Sequence, residues 1–121
     1  MPAAYPPDAL TPDWSLLEEL AGSNPGFIRR ILETFLQQAP AHYQAFRAAA
    51  RAADFPQLAR EAHRLRGQLA YFGLANLVSQ LEQLEAAAKT ADPRALPATE
   101  HIAHQLLLVL PLVEARCQRL P

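Results

Sequence analysis

Most of the chemistry available to this chain lies in one short stretch, His63-Arg64-Leu65-Arg66-Gly67, with a second glycine at Gly73. An imidazole at its unperturbed pKa of about 6.5 is largely neutral near pH 7, so one ring nitrogen keeps a lone pair. Guanidinium groups beside it suit phosphate oxygens, which they bind as a two-pronged fork. A surface histidine set among arginines is therefore able to take up a phosphoryl group and present it to another protein.

The element that must position these residues is a helix. At roughly 100° per residue, Leu58, Ala62, Leu65 and Leu69 fall on one stripe, and His63 stands roughly 120–160° away from Leu58, Leu65 and Leu69. His63 is thus expected to point to solvent. Ala59, Arg60, Arg66 and Gly67 lie within roughly 60° of it, because residues three and four apart are neighbours on a helix. The two small residues, Ala59 and Gly67, flank the histidine where larger ones would crowd it. A mid-helix glycine costs about 1 kcal/mol relative to alanine, so Gly67 calls for a packing or functional reason. Taken singly, an exposed histidine, a row of arginines and a glycine are each ordinary; it is their coincidence that points to function.

The run Ala62-His63-Arg64-Leu65-Arg66-Gly67-Gln68-Leu69-Ala70-Tyr71-Phe72-Gly73-Leu74 resembles the signature of the histidine-containing phosphotransfer (HPt) domain. That pattern is Ala-His-x-Leu-Lys-Gly, two small residues, and a second glycine ten positions after the histidine. His63, Leu65, Gly67 and Gly73 fall on it, and Arg66 keeps the charge of the usual lysine. Asp13-Trp14-x-x-Leu17-x-x-Leu20 resembles the family's short first helix. Ile31-Leu32-x-x-Phe35 resembles its first long helix, and Leu81-x-x-Leu84-Glu85 the helix after the histidine. The likeness covers roughly residues 13 to 115. Gln68 and Leu69 depart from the small pair.

The resemblance implies a relay role. His63 would accept a phosphoryl group from a receiver-domain aspartate and pass it to another receiver. Arg66 would screen the phosphoryl charge, with Arg60 and Arg64 as weaker candidates, and Gln68 would donate a hydrogen bond nearby. Ala59, Arg60, Arg64, Gly67 and Ala70 would face the docked partner. Gln83 or Glu85, on the next helix, would orient the imidazole. The implied partners are receiver domains of response regulators and of a hybrid sensor histidine kinase. The protein would be a phosphoryl carrier without a cofactor of its own, the Mg2+ belonging to the partner receiver.

Composition sets the remaining bounds. A chain of 121 residues, half of them apolar, is one domain with a real core. A formal charge of −1 gives no argument for nucleic acid or a membrane surface. Cys117 is the sole cysteine, which excludes an internal disulfide and fits a reducing, cytoplasmic setting. Met1-Pro2-Ala3-Ala4-Tyr5-Pro6-Pro7 lacks the basic and apolar regions of a secretory signal. The longest apolar run, Leu106 to Leu112, is short for a membrane span and interrupted by Pro111. Neither G-x-x-x-x-G-K-[ST] nor G-x-G-x-x-G occurs, so no ATP site is visible. Residues 1–12 read as a Pro-rich tail or linker, compatible with a free-standing protein or a module of a longer chain, such as a hybrid kinase.

Residues 13–121 read as an all-α, antiparallel up-down four-helix bundle with a short extra N-terminal helix. Asp13 is expected to cap the short helix, and Gly22-Ser23-Asn24 to end it. Asn24 then caps a helix from Pro25 to about Ala52, with Phe27 or Ile28, Ile31, Phe35 and Tyr43 or Phe46 inward. Pro40 is expected to kink or break it. Asp54 caps the His63 helix. Gly73 permits a tight reversal. Leu74, Leu77, Val78, Leu81, Leu84 and Ala88 form the stripe of the next helix. After Thr90-Ala91-Asp92-Pro93 a last helix runs to about Arg119, bent at Pro111.

Two other readings were open. His101 and His104 have a spacing two metal ligands on one helix can use, but no complementary ligands accompany them, and a metal bundle would need inward Glu-x-x-His motifs. His42 stands alone. A non-catalytic adaptor that docks a receiver without accepting phosphate is the alternative to the carrier.

Overall fold

The computed structural model describes residues 10–121. Of the Pro-rich stretch, residues 1–9 lie outside the described residues; Leu10 is half-buried and packs on the core. Five helices follow in order: α1 (Ser15–Leu20), α2 (Pro25–Arg51), α3 (Phe55–Ala70), α4 (Ala75–Lys89) and α5 (Ala95–Gln118). The described residues carry no strand.

The helix starts follow from local chemistry. Asn24 Oδ1 accepts from the Gly26 and Phe27 N–H groups at 3.0 and 3.2 Å, with Pro25 in the first turn. Asp54 accepts from the Gln57 N–H at 3.2 Å. Asp13 accepts from the Ser15 N–H at 3.0 Å, but the cap position itself is Trp14, one residue later than expected. Pro40 does not break α2, which continues to Arg51. Proline removes one hydrogen bond to the preceding turn, and the buried residues on either side, Phe35, Ala39 and Phe46, hold the helix against the core. α5 likewise runs through Pro111.

Where the sequence left alternatives on α2, packing chose Ile28 and Phe46, which are buried; Phe27 is exposed and Tyr43 half-buried. The core joins this row to Leu58, Ala62, Leu65 and Leu69 of α3, Leu77, Leu81 and Leu84 of α4, and Ile102, Val109 and Val113 of α5. Side-chain pairs run in opposite senses between neighbours. Arg29 near the start of α2 reaches the Cys117 carbonyl, while Arg47 near its end pairs with Glu100. His63 meets Glu85, and Arg66 approaches Glu82. Between α4 and α5, Gln80 and Gln105 exchange amide hydrogen bonds at 3.1 and 2.7 Å, which satisfies the fully buried Gln105.

By length and composition alone, α5 is apolar enough to cross a membrane, its most apolar window reaching a mean hydropathy of 1.2. Ile102, Ala103, Leu106, Val109 and Val113 of this helix are buried in the core, whereas Leu107 and Leu108 are exposed.

The α3–α4 connection fixes the geometry below His63. Gly73 has φ +67°, and a Cβ there would overlap the Asp13 backbone. The bare glycine lets the segment before α1 cross the end of α3, where the Asp13 N–H donates to the Phe72 carbonyl at 3.0 Å. Phe72 packs beneath this crossing, its ring 5.0 Å from Phe35 and 5.5 Å from Trp14.

Candidate functional site

His63 stands on the solvent face of α3 with its side chain 65% exposed. The leucines of the same helix point the other way into the core. Beyond its own helix backbone, Gly67 has no atom within 4 Å of where a Cβ would sit. The surface one turn after the histidine is therefore open, and no close helix crossing explains the glycine.

The ring is held at one nitrogen. Glu85, on α4, places its two carboxylate oxygens 3.3 and 3.2 Å from His63 Nδ1. Arg66 Nη2 lies 2.8 Å from the same Nδ1 and 3.2 Å from Glu85 Oε1. Lys89 Nζ lies 3.1 Å from Glu85 Oε2. Burial pushes the Glu85 carboxyl up, but the hydrogen bond from Lys89, together with that from His63 when its Nδ1 carries the proton, outweighs it and holds the group below the usual carboxylate range. Glu85 is therefore an anion at neutral pH, nearly buried, with cations on two sides. The contacts of Glu85 and Arg66 with the ring are all made at Nδ1, on one edge of it.

His63 is a ridge between two depressions. On the α2 side, a groove of about 580 Å3 is lined by Ile31, Phe35, Tyr71 and Phe72, with Arg30, Arg64, Gly67 and Gln68 among its other residues. On the α4 side, a shallower depression of about 370 Å3 is lined by Ala59, Arg60, Arg64, Glu85 and Lys89. One flank of the histidine is thus mainly apolar and the other strongly charged.

Each expected site residue has a definite place. Arg66 lies beside the ring but is not a free cation, because it leans on Glu85 and, at 4.0 Å, on Glu82. Gln68 lines the apolar groove, and its Oε1 is buried without a hydrogen-bond partner. Arg60 is exposed and donates to Gln57 Oε1 at 2.7 Å. Arg64 is half-exposed, 3.4 Å from the buried Glu61 and 3.4 Å from His42 Nδ1. Gly67 and Ala70 are exposed.

Two expectations are corrected. Ala59 is buried rather than presented to a partner, because α4 packs over that edge of α3 and leaves it only 7% exposed, at the foot of the charged depression. Gln83 does not approach the ring: it lines a groove with Ala98 and His101 on the α4–α5 side. Two residues along a helix is roughly 200° of rotation, so Gln83 and Glu85 cannot face the same neighbour. Lys89 was missed. Its signal was present, since it follows Glu85 by one helical turn, where a glutamate–lysine pair is favourable.

Among the described residues, no group of three or more histidine, cysteine, aspartate or glutamate side chains could hold a metal ion. Cys117 is buried. The family model of the Hpt domain matches residues 30–120. No curated protein and no solved structure matches the chain.

Proposed function

The chain belongs to the Hpt domain family, whose members serve phosphotransfer in two-component signalling, and on that premise we propose that His63 is the phosphoacceptor of a His–Asp phosphorelay. The observation that carries this reading is the ring itself: 65% exposed, contacted at Nδ1 by Arg66 and Glu85, and bordered by the open surface over Gly67.

In the proposed step, the Nε2 lone pair attacks the phosphorus of an aspartyl phosphate on a docked receiver. The phosphorus–oxygen bond to that aspartate breaks, and its electron pair stays on the aspartate carboxylate. The ring then carries the phosphoryl group on Nε2 and a proton on Nδ1, which donates to Glu85. Transfer to a second receiver reverses the sequence. The Mg2+ that neutralises charge in the transfer belongs to the receiver. This chain contributes position and fixed charge, which supply most of the catalysis in phosphoryl transfer generally.

The groove formed by Ile31, Phe35, Tyr71 and Phe72 gives the receiver an apolar footing beside the histidine, and Arg30 and Arg64 add positive charge to its lining. Gly67 lets the partner backbone come close. The partners are receiver domains of response regulators and of a hybrid sensor kinase, and the setting is cytoplasmic.

The test is incubation with a phosphorylated receiver. Wild type should gain acid-labile, base-stable phosphate, and His63→Gln should fold normally and gain none. A fully labelled His63→Gln variant, or labelling abolished only by changing His42, His101 or His104, would refute the assignment. Receiver binding without any labelling of wild type would instead establish the adaptor reading.

A further inference from the structure

His63 Nδ1 is claimed by two neighbours with opposite demands. Arg66 is a guanidinium and can only donate, so its 2.8 Å contact requires a lone pair on Nδ1. Glu85 is an ionised carboxylate and can only accept, so its 3.2 Å contact requires a proton there. A neutral imidazole satisfies one or the other. The choice decides reactivity. With Nδ1 accepting from Arg66, the proton sits on Nε2, which then has no free lone pair. With Nδ1–H donating to Glu85, Nε2 is the nucleophile.

We propose that Arg66 is a positioning residue that holds the resting ring in the unreactive Nε2–H form, and that its withdrawal toward the oxygens of an incoming phosphoryl group converts the ring to the nucleophilic Nδ1–H form. The inference rests on the reading of His63 as phosphoacceptor. Three observations support it. The Arg66 contact, at 2.8 Å, is shorter than either contact to Glu85, at 3.2 and 3.3 Å, and this ordering favours the form in which Nδ1 accepts. The guanidinium is not well satisfied where it lies: its Nε is buried without a partner, a state that costs free energy and is relieved by moving outward. The group left behind is ready for the other form, since Lys89 holds Glu85 Oε2 and keeps the carboxylate in place when Arg66 leaves Oε1.

The proton balance closes. When Arg66 leaves, Nδ1 takes a proton from water and donates it in a hydrogen bond to Glu85. Nε2 loses its proton to water, and the ring stays neutral. Attack on phosphorus then gives an Nε2-phosphorylated ring with Nδ1–H still on Glu85. The charged groups around the ring are Arg30 of α2, Arg60, Arg64 and Arg66 of α3, and Glu82, Glu85 and Lys89 of α4. Of these, Arg66 and Glu85 are the two that contact Nδ1.

The experiment is nitrogen NMR of 15N-histidine protein near pH 8, where ring shifts report the tautomer directly. Free wild type should show mainly Nε2–H. Arg66→Ala should raise the Nδ1–H to Nε2–H ratio by about tenfold, a difference of about 1.4 kcal/mol. Adding Glu85→Ala to that variant should reverse most of the shift, because the acceptor is gone. After phosphorylation by a receiver, wild type should show Nδ1–H with the phosphoryl group on Nε2. A free wild-type ring already in the Nδ1–H form, or a ratio unmoved by Arg66→Ala, would overturn the inference. A tautomer shift as expected in a protein that accepts no phosphate would overturn the phosphoacceptor reading instead. Circular dichroism of each variant separates these outcomes from loss of fold.

Discussion

Replacing Gly67 separates stability from docking, because the two effects have opposite signs. The residue lies mid-helix and exposed, and a Cβ there meets nothing within 4 Å beyond the local backbone. Gly67→Ala therefore gains the full helix-propensity difference with no steric offset, about 0.8–1 kcal/mol. For a domain of this length the midpoint of thermal unfolding should rise by about 3–5 °C. One methyl group on that surface should change phosphotransfer by no more than about twofold, since a glycine-to-alanine step adds little height. Gly67→Gln recovers most of the same propensity but sends a long side chain over the surface beside His63. Misplacing reacting groups by about 1 Å can cost about 100-fold in rate, so transfer should fall by at least about tenfold. The assays are thermal unfolding followed by circular dichroism and the initial rate of transfer from a phosphorylated receiver. A lower midpoint for Gly67→Ala would show that the glycine is needed for packing. A wild-type transfer rate in Gly67→Gln would show that the partner does not approach over this surface.

Gly73→Ala should behave in the opposite way, losing about 3 kcal/mol in denaturant titration, from the left-handed backbone at φ +67° and the displaced Asp13 segment with its hydrogen bond to Phe72. Glu85→Gln should lower stability by about 1–2 kcal/mol at pH 7. Because the folded carboxyl is held below its ordinary value of 4.5, its contribution is complete above that value and disappears as pH falls through the lower folded value. Wild type and Glu85→Gln should therefore converge in stability under acid, and a gap of constant size between pH 7 and 3 would contradict the ion-pair account. Gln68→Leu removes a buried, unpartnered Oε1 from the apolar groove and should raise stability by about 1 kcal/mol in the same titration; a loss would mean that the amide is satisfied.

Periodicity and local chemistry made much of the chain legible. Asn24-Pro25 and Asp54 mark helix starts because capping is decided within four residues, and the structure places both where those residues fall. The stripe Leu58, Ala62, Leu65 and Leu69 sets the azimuth of every other residue on α3, so the exposure of His63 follows from counting along one helix. Pro40 was less legible: a proline predicts a lost hydrogen bond, but whether the helix survives depends on what holds the turns on either side. What lies between helices was decided by the tertiary structure. Ala59 is as close to His63 in azimuth as Gly67, yet α4 covers one and leaves the other bare. Glu85 and not Gln83 meets the ring because the packing of α4 on α3 selects which of its faces turns inward. The contest between Arg66 and Glu85 for Nδ1, with Lys89 behind the carboxylate, rests on distances of a few ångströms between two helices. A single helix fixes direction about its own axis. The register and rotation of one helix against another come from how their side chains interlock, and that sum over many weak contacts is not written at any one position.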